Sequence, residues 1–415
     1  MSNPTKFLRD SVHGNLPLNE FEVEVMDSPQ IQRLRRIKQL GFISLIYPGA
    51  NHSRFEHSTG TMFLGSKLAD HLELSDYDKN LVRIAALLHD IGHGPFSHVS
   101  EAVLGVKHEV LTAKVIKETS LNDIITKEFD SKEIIDIING KGSLGPIISG
   151  ELDVDRMDYL IRDSHYTGVA YGVIDVDRII ANLKLKQYLI LDIKGVQAAE
   201  EALVARYQMY PSVYQHHTTR IVNAMFRRCL KKVFKADIIS SNDIYKYDDA
   251  DMLCICRNVD EKESKDNAFI KDIVTRLDNR NLLKSVCSTR LNEFENPPEI
   301  FDIKKRALDK CEEEISEDMD IDRDYVILNI PEYPRFDEMK TQIALGDELF
   351  HLNEISSIVK ALQSARFNYP DICLYVPKED KDKFKNFKLD NYLNLPKRAE
   401  NKFDKVHFEQ SKLFD

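Results

Sequence analysis

The sequence predicts a mainly α-helical core followed by a smaller C-terminal α+β lobe. Three observations carry that expectation. Apolar residues at helical spacing dominate the first half, most glycines lie there too, and beyond about residue 235 charged helical segments give way to short strand-like runs. The division is placed at 1–235 and 236–415. No Pro/Ser-rich linker, internal repeat or low-complexity tract separates the two parts, so the second is expected to pack on the first and to serve oligomerisation.

In the first part, Ser75-Asp76-Tyr77-Asp78 reads as a capping box that opens the apolar run 81–88, and Gly92 is placed to close that helix. His57, in RFEHSTG, falls near the start of another helix. In LDVDRMDYLIRD, Asp155, Tyr159, Arg162 and Asp163 recur at i, i+4, i+7 and i+8, which puts all four on one helix face. Arg206, Tyr210 and Tyr214 repeat at the same interval, and Pro211 is expected to kink or break their helix. A Tyr stripe at this spacing is commonly core. The preceding Arg and the following His216-His217 favour a pocket wall instead. In the second part, residues 268–283 and 306–315 read as helices, 325–328 and 372–376 as strands, and the acidic stretch 312–324 as a solvated loop.

The 415 residues are 42% hydrophobic, enough for a sizeable core. A net charge of −11 argues against a generally basic nucleic-acid-binding surface, so any polyphosphate site must be a local cluster of Arg and Lys. MSNPTKFLRDSVHG has no apolar signal core, and no apolar run approaches the roughly 20 residues that span a bilayer. The expected location is the cytoplasm, or the nucleus in a eukaryote, with no membrane partner. Six cysteines without CxxC spacing read as reduced thiols.

The densest chemistry is LLHDIGHGPFSH, where an apolar helix runs straight into His89-Asp90, with His93 and His98 just beyond. A buried carboxylate needs a partner. A salt-bridged His/Asp cap is one answer, and a divalent cation that satisfies Asp and His together is the other.

With His57 in NHSRFEHSTG and Asp155 in LDVDRMDYLIRD, the sequence acquires an H…HD…D pattern. ARYQMYPSVYQHH follows, and RNLLKSV at 280–286 fits as well. In these blocks, taken in order, the chain resembles the HD-domain superfamily, and within it the dNTP triphosphohydrolases. The resemblance implies an HD-domain helical core and a metal set of His57, His89, Asp90 and Asp155. Two imidazoles and two carboxylates leave open positions on one or two divalent ions, Fe, Mn or Mg, with Ni, Zn or Co as alternatives.

The same resemblance places His93, His98 and His108 around a triphosphate, with His98 first and His108 second as donor to the leaving oxygen, and with Glu109 and Glu101 orienting the rings. Arg54, Arg156 and Arg206 match phosphate-binding positions, and Gln39, Tyr159 and Asp163 match contacts to the 3′ side of the sugar. Leu40 and Tyr210 complete the substrate-binding set, and Tyr214 matches the ring that packs on deoxyribose and excludes a 2′-hydroxyl. Arg156 stands where the vertebrate members have Lys, and Tyr210 where they have His.

Activated members of the family bind guanine nucleotide between subunits. Lys6, Asp27, Gln32 and Arg35 match that site, and Tyr47, Arg178 and Lys194 match a neighbouring one, although Asp192 stands where an Arg is expected. Read without the resemblance, QRLRRIK is a basic amphipathic helix face. The implied partners are a dNTP substrate, GTP or dGTP as activator, and further copies of the chain in a dimer or tetramer, with nucleic acid less favoured. Two other functions stay open: a phosphodiesterase or nuclease of the same superfamily acting on nucleic acid or cyclic nucleotides, and a nucleotide-sensing or nucleic-acid-binding protein whose metal is structural.

Overall fold

In the computed structural model, which describes residues 5–186, 188–334, 340–393 and 395–397, the chain opens on an antiparallel hairpin of β1 (Lys6–Asp10) and β2 (Gly14–Leu18). Asp10 shapes the turn. Its Oδ1 accepts from the backbone N–H groups of Val12 and His13 at 2.9 and 2.8 Å, and this throws His13 back toward the helices. Helix α1 (Glu20–Met26) follows behind a reciprocal Asn19/Glu22 capping box.

Helix α2 (Arg54–His71) starts at Ser53, whose hydroxyl and amide exchange hydrogen bonds with Glu56, so that His57 lands in the first turn. Along it packs α3 (Asp76–Leu88), whose residues 81–88 are all buried. The short α4 (His98–Leu104) and α5 (His108–Glu118) come next. Helix α6 (Val154–Thr167), capped by Asp153, lies against α2. Helix α7 (Val196–Met209) runs directly into a π-helical turn over Tyr210–Tyr214, which is how the break expected at Pro211 is realised.

The longest helices in the rest of the described chain are α8 (His217–Lys235), α9 (Lys265–Asp278) and α10 (Lys305–Met319), with shorter ones over Asp249–Asn258, Leu352–Ile355 and Ser357–Ala365. Two small sheets accompany them. In one, β3 (Leu183–Leu185), β4 (Leu189–Asp192), β7 (Gln342–Leu345) and β8 (Glu348–His351) lie in the order 3-4-7-8, with only β4 and β7 parallel. In the other, β9 (Asp371–Val376) sits between β5 (Lys284–Arg290) and β6 (Ile327–Asn329), antiparallel to both. The fold is therefore a mainly α-helical core with a C-terminal region that mixes helices and small sheets.

The hydrophobic core is continuous across these parts. Leu18 through Val213 supply most of one cluster, which Ile343, Leu352 and Val359 from the C-terminal region join. A second cluster brings Phe42 and Phe96 against α8 and α9. There the Phe42 and Phe96 rings stack at 4.2 Å, and Phe226 of α8 meets both edge-on.

Several local expectations change. Helix α3 ends at Leu88 with His89 as its C-cap, not at Gly92. Gly92 is required by close approach instead, because a Cβ there would lie 2.2 Å from the Thr112 amide nitrogen and 2.4 Å from the His108 carbonyl oxygen. The Ser75 box is one-sided: the hydroxyl accepts from the Asp78 amide and donates to the Asp78 carboxylate, leaving the Ser75 amide out. The helix expected over 268–283 spans Lys265–Asp278, ended by Asn279 and by Arg280 at φ +52°, and the chain becomes β5 at Lys284. Most of the acidic stretch 312–324 belongs to α10 and is not a solvated loop. Glu312 is buried, where it accepts from the Leu328 amide and from Arg228. At 325–328 a 3₁₀ turn over Arg323–Tyr325 delays the strand to Ile327.

A Cβ on Gly60 would sit 2.0 Å from Asp158 Oδ1 and 2.2 Å from Arg162 Nη2, inside a buried ion pair that cannot move aside. Gly60→Ala is expected to destabilise the protein by about 2–3 kcal/mol, read as a fall of several degrees in thermal unfolding. An unchanged transition would show that α6 can retreat from α2.

Candidate metal centre

Three helices converge on one point. His57 comes from the first turn of α2, His89 and Asp90 from the end of α3, and Asp155 from the first turn of α6. His57 Nε2 lies 3.0 Å from Asp155 Oδ1 and 3.7 Å from Asp90 Oδ2. His89 Nε2 lies 3.4 Å from Asp90 Oδ1 and 3.7 Å from Asp155 Oδ1. His57, His89 and Asp155 form a group whose ligand atoms all lie within 4.8 Å of one another.

The backbone and neighbouring side chains fix the ring orientations. His89 donates from Nδ1 to the Ala86 carbonyl at 2.7 Å, which leaves its Nε2 buried without a hydrogen-bond partner and turned toward the carboxylates. His57 Nδ1 is bonded to Asp158 Oδ2 at 2.8 Å. Two buried imidazole nitrogens facing two carboxylates form a donor set that fits a divalent cation.

The electrostatics agree. Burial works against charge on His57, but Asp155 and Asp158 outweigh it and hold its pKa up to about 10. The Asp155 carboxyl, which burial would raise, is held below its usual range by His57 and His89. The cluster thus holds protons where a cation would sit, and cation binding must displace them.

Asp90 is shared. Its Oδ2 accepts from Arg54 Nη1, and its Oδ1 lies 3.3 Å from His93 Nε2 and 3.8 Å from His108 Nε2. The His93 and His108 rings stack at 3.9 Å, yet their surroundings differ. Burial and then Arg54 and His108 push His93 well below the ordinary imidazole value. For His108 burial opposes charge, but Glu101, Asp90 and Glu109 more than reverse it and raise its pKa. Of the stacked pair, His108 is the one whose surroundings favour the proton. Glu101 reaches both His98 Nδ1 and His108 Nδ1, at 3.3 and 3.4 Å, while Glu109 stands 3.6 Å from His108.

The cluster opens on one cavity of about 360 Å³, the size of a small-ligand site, and His89, Glu101, Glu109 and Asp158 stand behind its wall. Gln39, Leu40, Arg54, Tyr159, Asp163, Arg206, Tyr210 and Tyr214 line it too, together with His57, Asp90, His93, His98, His108 and Asp155. Gln39 brings a buried Oε1 with no hydrogen-bond partner. The Tyr214 hydroxyl donates to Asp163 Oδ2 at 2.9 Å, and the other Asp163 oxygen is held by His52 at 2.9 Å. Burial first, and Asp163 second, raise Tyr214 well above its usual pKa, so it stays a neutral donor.

Some expected residues stand elsewhere. Arg162 does not face the cavity, because it is fully buried on Asp10 and Asp158. Arg156 pairs with Asp153 and the Gly150 carbonyl and lines a small cleft that Arg206 also borders. His216 caps α8 through its Nδ1, and neither it nor His217 lines the cavity.

The residues matched to a regulatory nucleotide lie outside the cavity. Lys6 and Asp27 are exposed, and Gln32 bonds the Met26 carbonyl and Arg35. Arg35 covers the Phe55 ring at 3.5 Å, Tyr47 donates to the Ser212 carbonyl, and Arg178 is exposed on the helix Val176–Asn182. Lys194 is exposed, and Asp192 pairs with Lys184. QRLRRIK is not one helix face, since a short helix over Pro29–Arg33 passes into a 3₁₀ turn over Leu34–Arg36.

Residues the sequence did not single out brace the loop between α3 and α4. Arg33 is buried and donates to the carbonyls of Ile91, His93 and Tyr247. Asp249 accepts from the amides of Lys38 and Phe96, and Ser97 accepts from Arg54 at 2.7 Å. Phe96 and Ser97 both hold positive φ, +54° and +53°, a strained pair maintained by these bonds. The spacing Asp155/Asp158 was the one available signal, since a second acid at i+3 shares its helix face.

Comparison with known proteins places residues 54–163 in the HD domain family and 174–404 in the HD associated region family. The chain is 38% identical over 384 residues to an uncharacterised protein of Methanocaldococcus jannaschii, covering 90% of this chain and 80% of that one. It is 30% identical over 315 residues to the deoxynucleoside triphosphate triphosphohydrolase SAMHD1 homolog of Dictyostelium discoideum, covering 68% of this chain and 60% of that one. A phosphohydrolase structure from Bacteroides thetaiotaomicron superposes with a TM-score of 0.71 at 26% identity, covering 90% of this chain and all of that one.

Asp158 reaches a cation only through His57. Asp158→Asn is therefore expected to weaken divalent-metal affinity by about 10–100-fold, measured by competition with a chromophoric chelator. Metal binding should also release protons and tighten as pH rises from 6 to 8, because the raised pKa of His57 keeps its ring protonated in the metal-free protein. Titration calorimetry in buffers of different ionisation heat checks this, and affinity independent of pH would count against the assigned ligands.

Proposed function

The chain belongs to the HD-domain family, with an HD domain followed by the HD-associated region, and from that membership we propose that it is a metal-dependent phosphohydrolase that cleaves dNTPs to deoxynucleoside and inorganic triphosphate. The observation that carries the reading is the single cavity that joins the His/Asp cluster to the hydrogen-bonded Tyr214–Asp163 pair and the unfilled Gln39 acceptor. Relatives named as dNTP triphosphohydrolases support it.

A divalent ion held by His57, His89, Asp90 and Asp155 supplies Lewis acidity and a water of lowered pKa. The chain's own groups do the rest. Arg54 and Arg206 hold the triphosphate oxygens, with Arg156 reaching the same group by leaving Asp153, and His108, whose carboxylate neighbours favour its proton, adds a further hydrogen-bonding contact. Water oxygen bonds to the α-phosphorus, the bond from that phosphorus to the 5′-oxygen breaks, and His98, oriented by Glu101, gives its proton to the departing 5′-oxygen, while the proton lost by the attacking water passes to solvent, from which His98 is reprotonated. His93 is neutral and packs on His108, so it binds without adding charge.

Gln39, Tyr159 and Asp163 face the 3′ side of the sugar, beside Leu40 and Tyr210. Tyr214 is pinned by Asp163 and lies edge-on to Tyr159, so its ring is fixed where a 2′-hydroxyl would need space and a partner. The same proposal includes activation by GTP or dGTP at Lys6, Asp27, Gln32 and Arg35, with Tyr47 and Arg178 beside them. It also divides the chain into a catalytic part, 1–235, and a part, 236–415, that packs on it and serves assembly as a dimer or tetramer.

Purified protein given each dNTP and rNTP with Mn or Mg, with and without GTP, is expected to release inorganic triphosphate from dNTPs and little from rNTPs. Release of orthophosphate alone, or of nucleotides from nucleic acid, would contradict the reading. Tyr214→Ala should lower dNTP-over-rNTP selectivity tenfold or more, and His98→Asn should lower kcat by about 10²–10⁴. Glu101 holds the His108 proton, so Glu101→Gln should move the basic limb of the kcat/KM pH profile to lower pH.

A further inference from the structure

Resting on the dNTP reading above, we propose that a separate wall of the cavity, formed by Asn223 and Arg227 of α8 and by Glu332, recognises the nucleobase and selects guanine. Thr219, Arg220, Asn223 and Arg227 line the cavity from α8 at positions i, i+1, i+4 and i+8, one stripe along the helix. The two arginines of that stripe are in different states. Arg220 is committed to Asn329 through Nε and Nη2 and to Asp371 through an ion pair and the backbone carbonyl.

Arg227 is not committed in this way. Its Nε is buried without a hydrogen-bond partner, and its Nη2 stands 3.7 Å from Glu332 Oε1, beyond hydrogen-bond reach. Burial lowers the guanidinium's pKa, with Glu332 opposing, so the group bears a desolvation cost that its surroundings do not offset. Asn223 lies one turn earlier on the same face, half-buried. Ile330 and Pro331, just before Glu332, add apolar surface to the wall.

The chemistry of this wall identifies the ligand edge. A carboxylate beside Arg227 repels a polyphosphate, yet leaves a donor group and an acceptor group side by side for a neutral ring. Guanine answers both: O6 and N7 accept from a guanidinium fork, and N1–H and N2–H donate to a carboxylate. No other DNA base offers both a two-acceptor and a two-donor edge. The apolar surface of Ile330 and Pro331 suits the ring face. The wall is built by α8 and the segment after β6, whereas the metal cluster comes from α2, α3 and α6, so base choice and bond cleavage reside in different parts of the chain.

The test is kcat/KM of the metal-loaded full chain for dGTP, dATP, dCTP and dTTP, with GTP fixed in every assay so that any activation is common to all four. Wild type should favour dGTP at least tenfold. Glu332→Gln and Arg227→Gln should each lower the dGTP value tenfold or more while changing the others less than threefold, and dITP, which lacks the 2-amino group, should behave in wild type as dGTP does in Glu332→Gln. Absence of a guanine preference, or an equal loss on all four substrates, overturns the proposal. Calorimetric binding of dGMP against dAMP reads the same wall without turnover. If no dNTP yields triphosphate, the reaction fails while dGMP-selective binding that Glu332→Gln abolishes still supports the wall, and equal binding of the two monophosphates overturns it.

Discussion

The buried carboxylate of Asp158 is the interaction on which the site depends. It is fully buried and receives His57 Nδ1 at 2.8 Å, His13 Nε2 at 2.6 Å and Arg162 at 2.8 and 2.9 Å. Arg162, itself buried, is balanced on its other side by Asp10. Burial raises the cost of the Asp158 charge, and Arg162 with the two histidines more than compensates, holding its pKa well below the usual carboxylate range. Removing one member of such a group leaves an uncompensated buried charge at about 3–5 kcal/mol. One network therefore ties the N-terminal hairpin to α6 and sets which nitrogen of His57 is free to face Asp90 and Asp155.

The second constraint is the strained turn between α3 and α4, which carries Asp90 and His93 and leads into His98 at the start of α4. Backbone groups there are not satisfied by a helix, and distant parts of the chain satisfy them. Arg33 takes the carbonyls of Ile91 and His93, Asp249 takes the Phe96 amide, and Phe96 is clamped between Phe42 and Phe226. Arg33 stays buried because its hydrogen bonds and the nearby Asp248 and Asp249 offset burial, which nevertheless lowers its pKa to about 10. Asp249 from beyond residue 235, together with Phe226 of α8, thus braces the turn that carries Asp90 and His93.

Much of this was legible in the sequence, for identifiable reasons. The helical core and the β9 strand followed from periodicity, because apolar residues at helical or strand spacing must be buried together. His57, His89, Asp90 and Asp155 were legible as a set through the resemblance of their H…HD…D blocks to the HD-domain superfamily, since the residues alone left a salt-bridged His/Asp cap equally open. The braces were not legible. Asp10, His13, Arg33 and Asp249 lie 58 to 214 residues from what they hold, and nothing local distinguishes them from surface polar residues. Arg162 was misplaced because helical spacing alone gives a face, not the partner on it, and Asp10 claims that guanidinium. The acidic run around Glu312 misled for the same reason, since its charge is answered by Arg228 from a different helix.

The central claim is that the Asp158-braced cluster directs water onto the α-phosphorus of a dNTP. Hydrolysis in ¹⁸O-enriched water under single-turnover conditions, followed by mass analysis of both products, tests it directly. The account predicts one labelled oxygen in the inorganic triphosphate and none in the deoxynucleoside. Label in the deoxynucleoside, or in orthophosphate released ahead of it, would contradict the account.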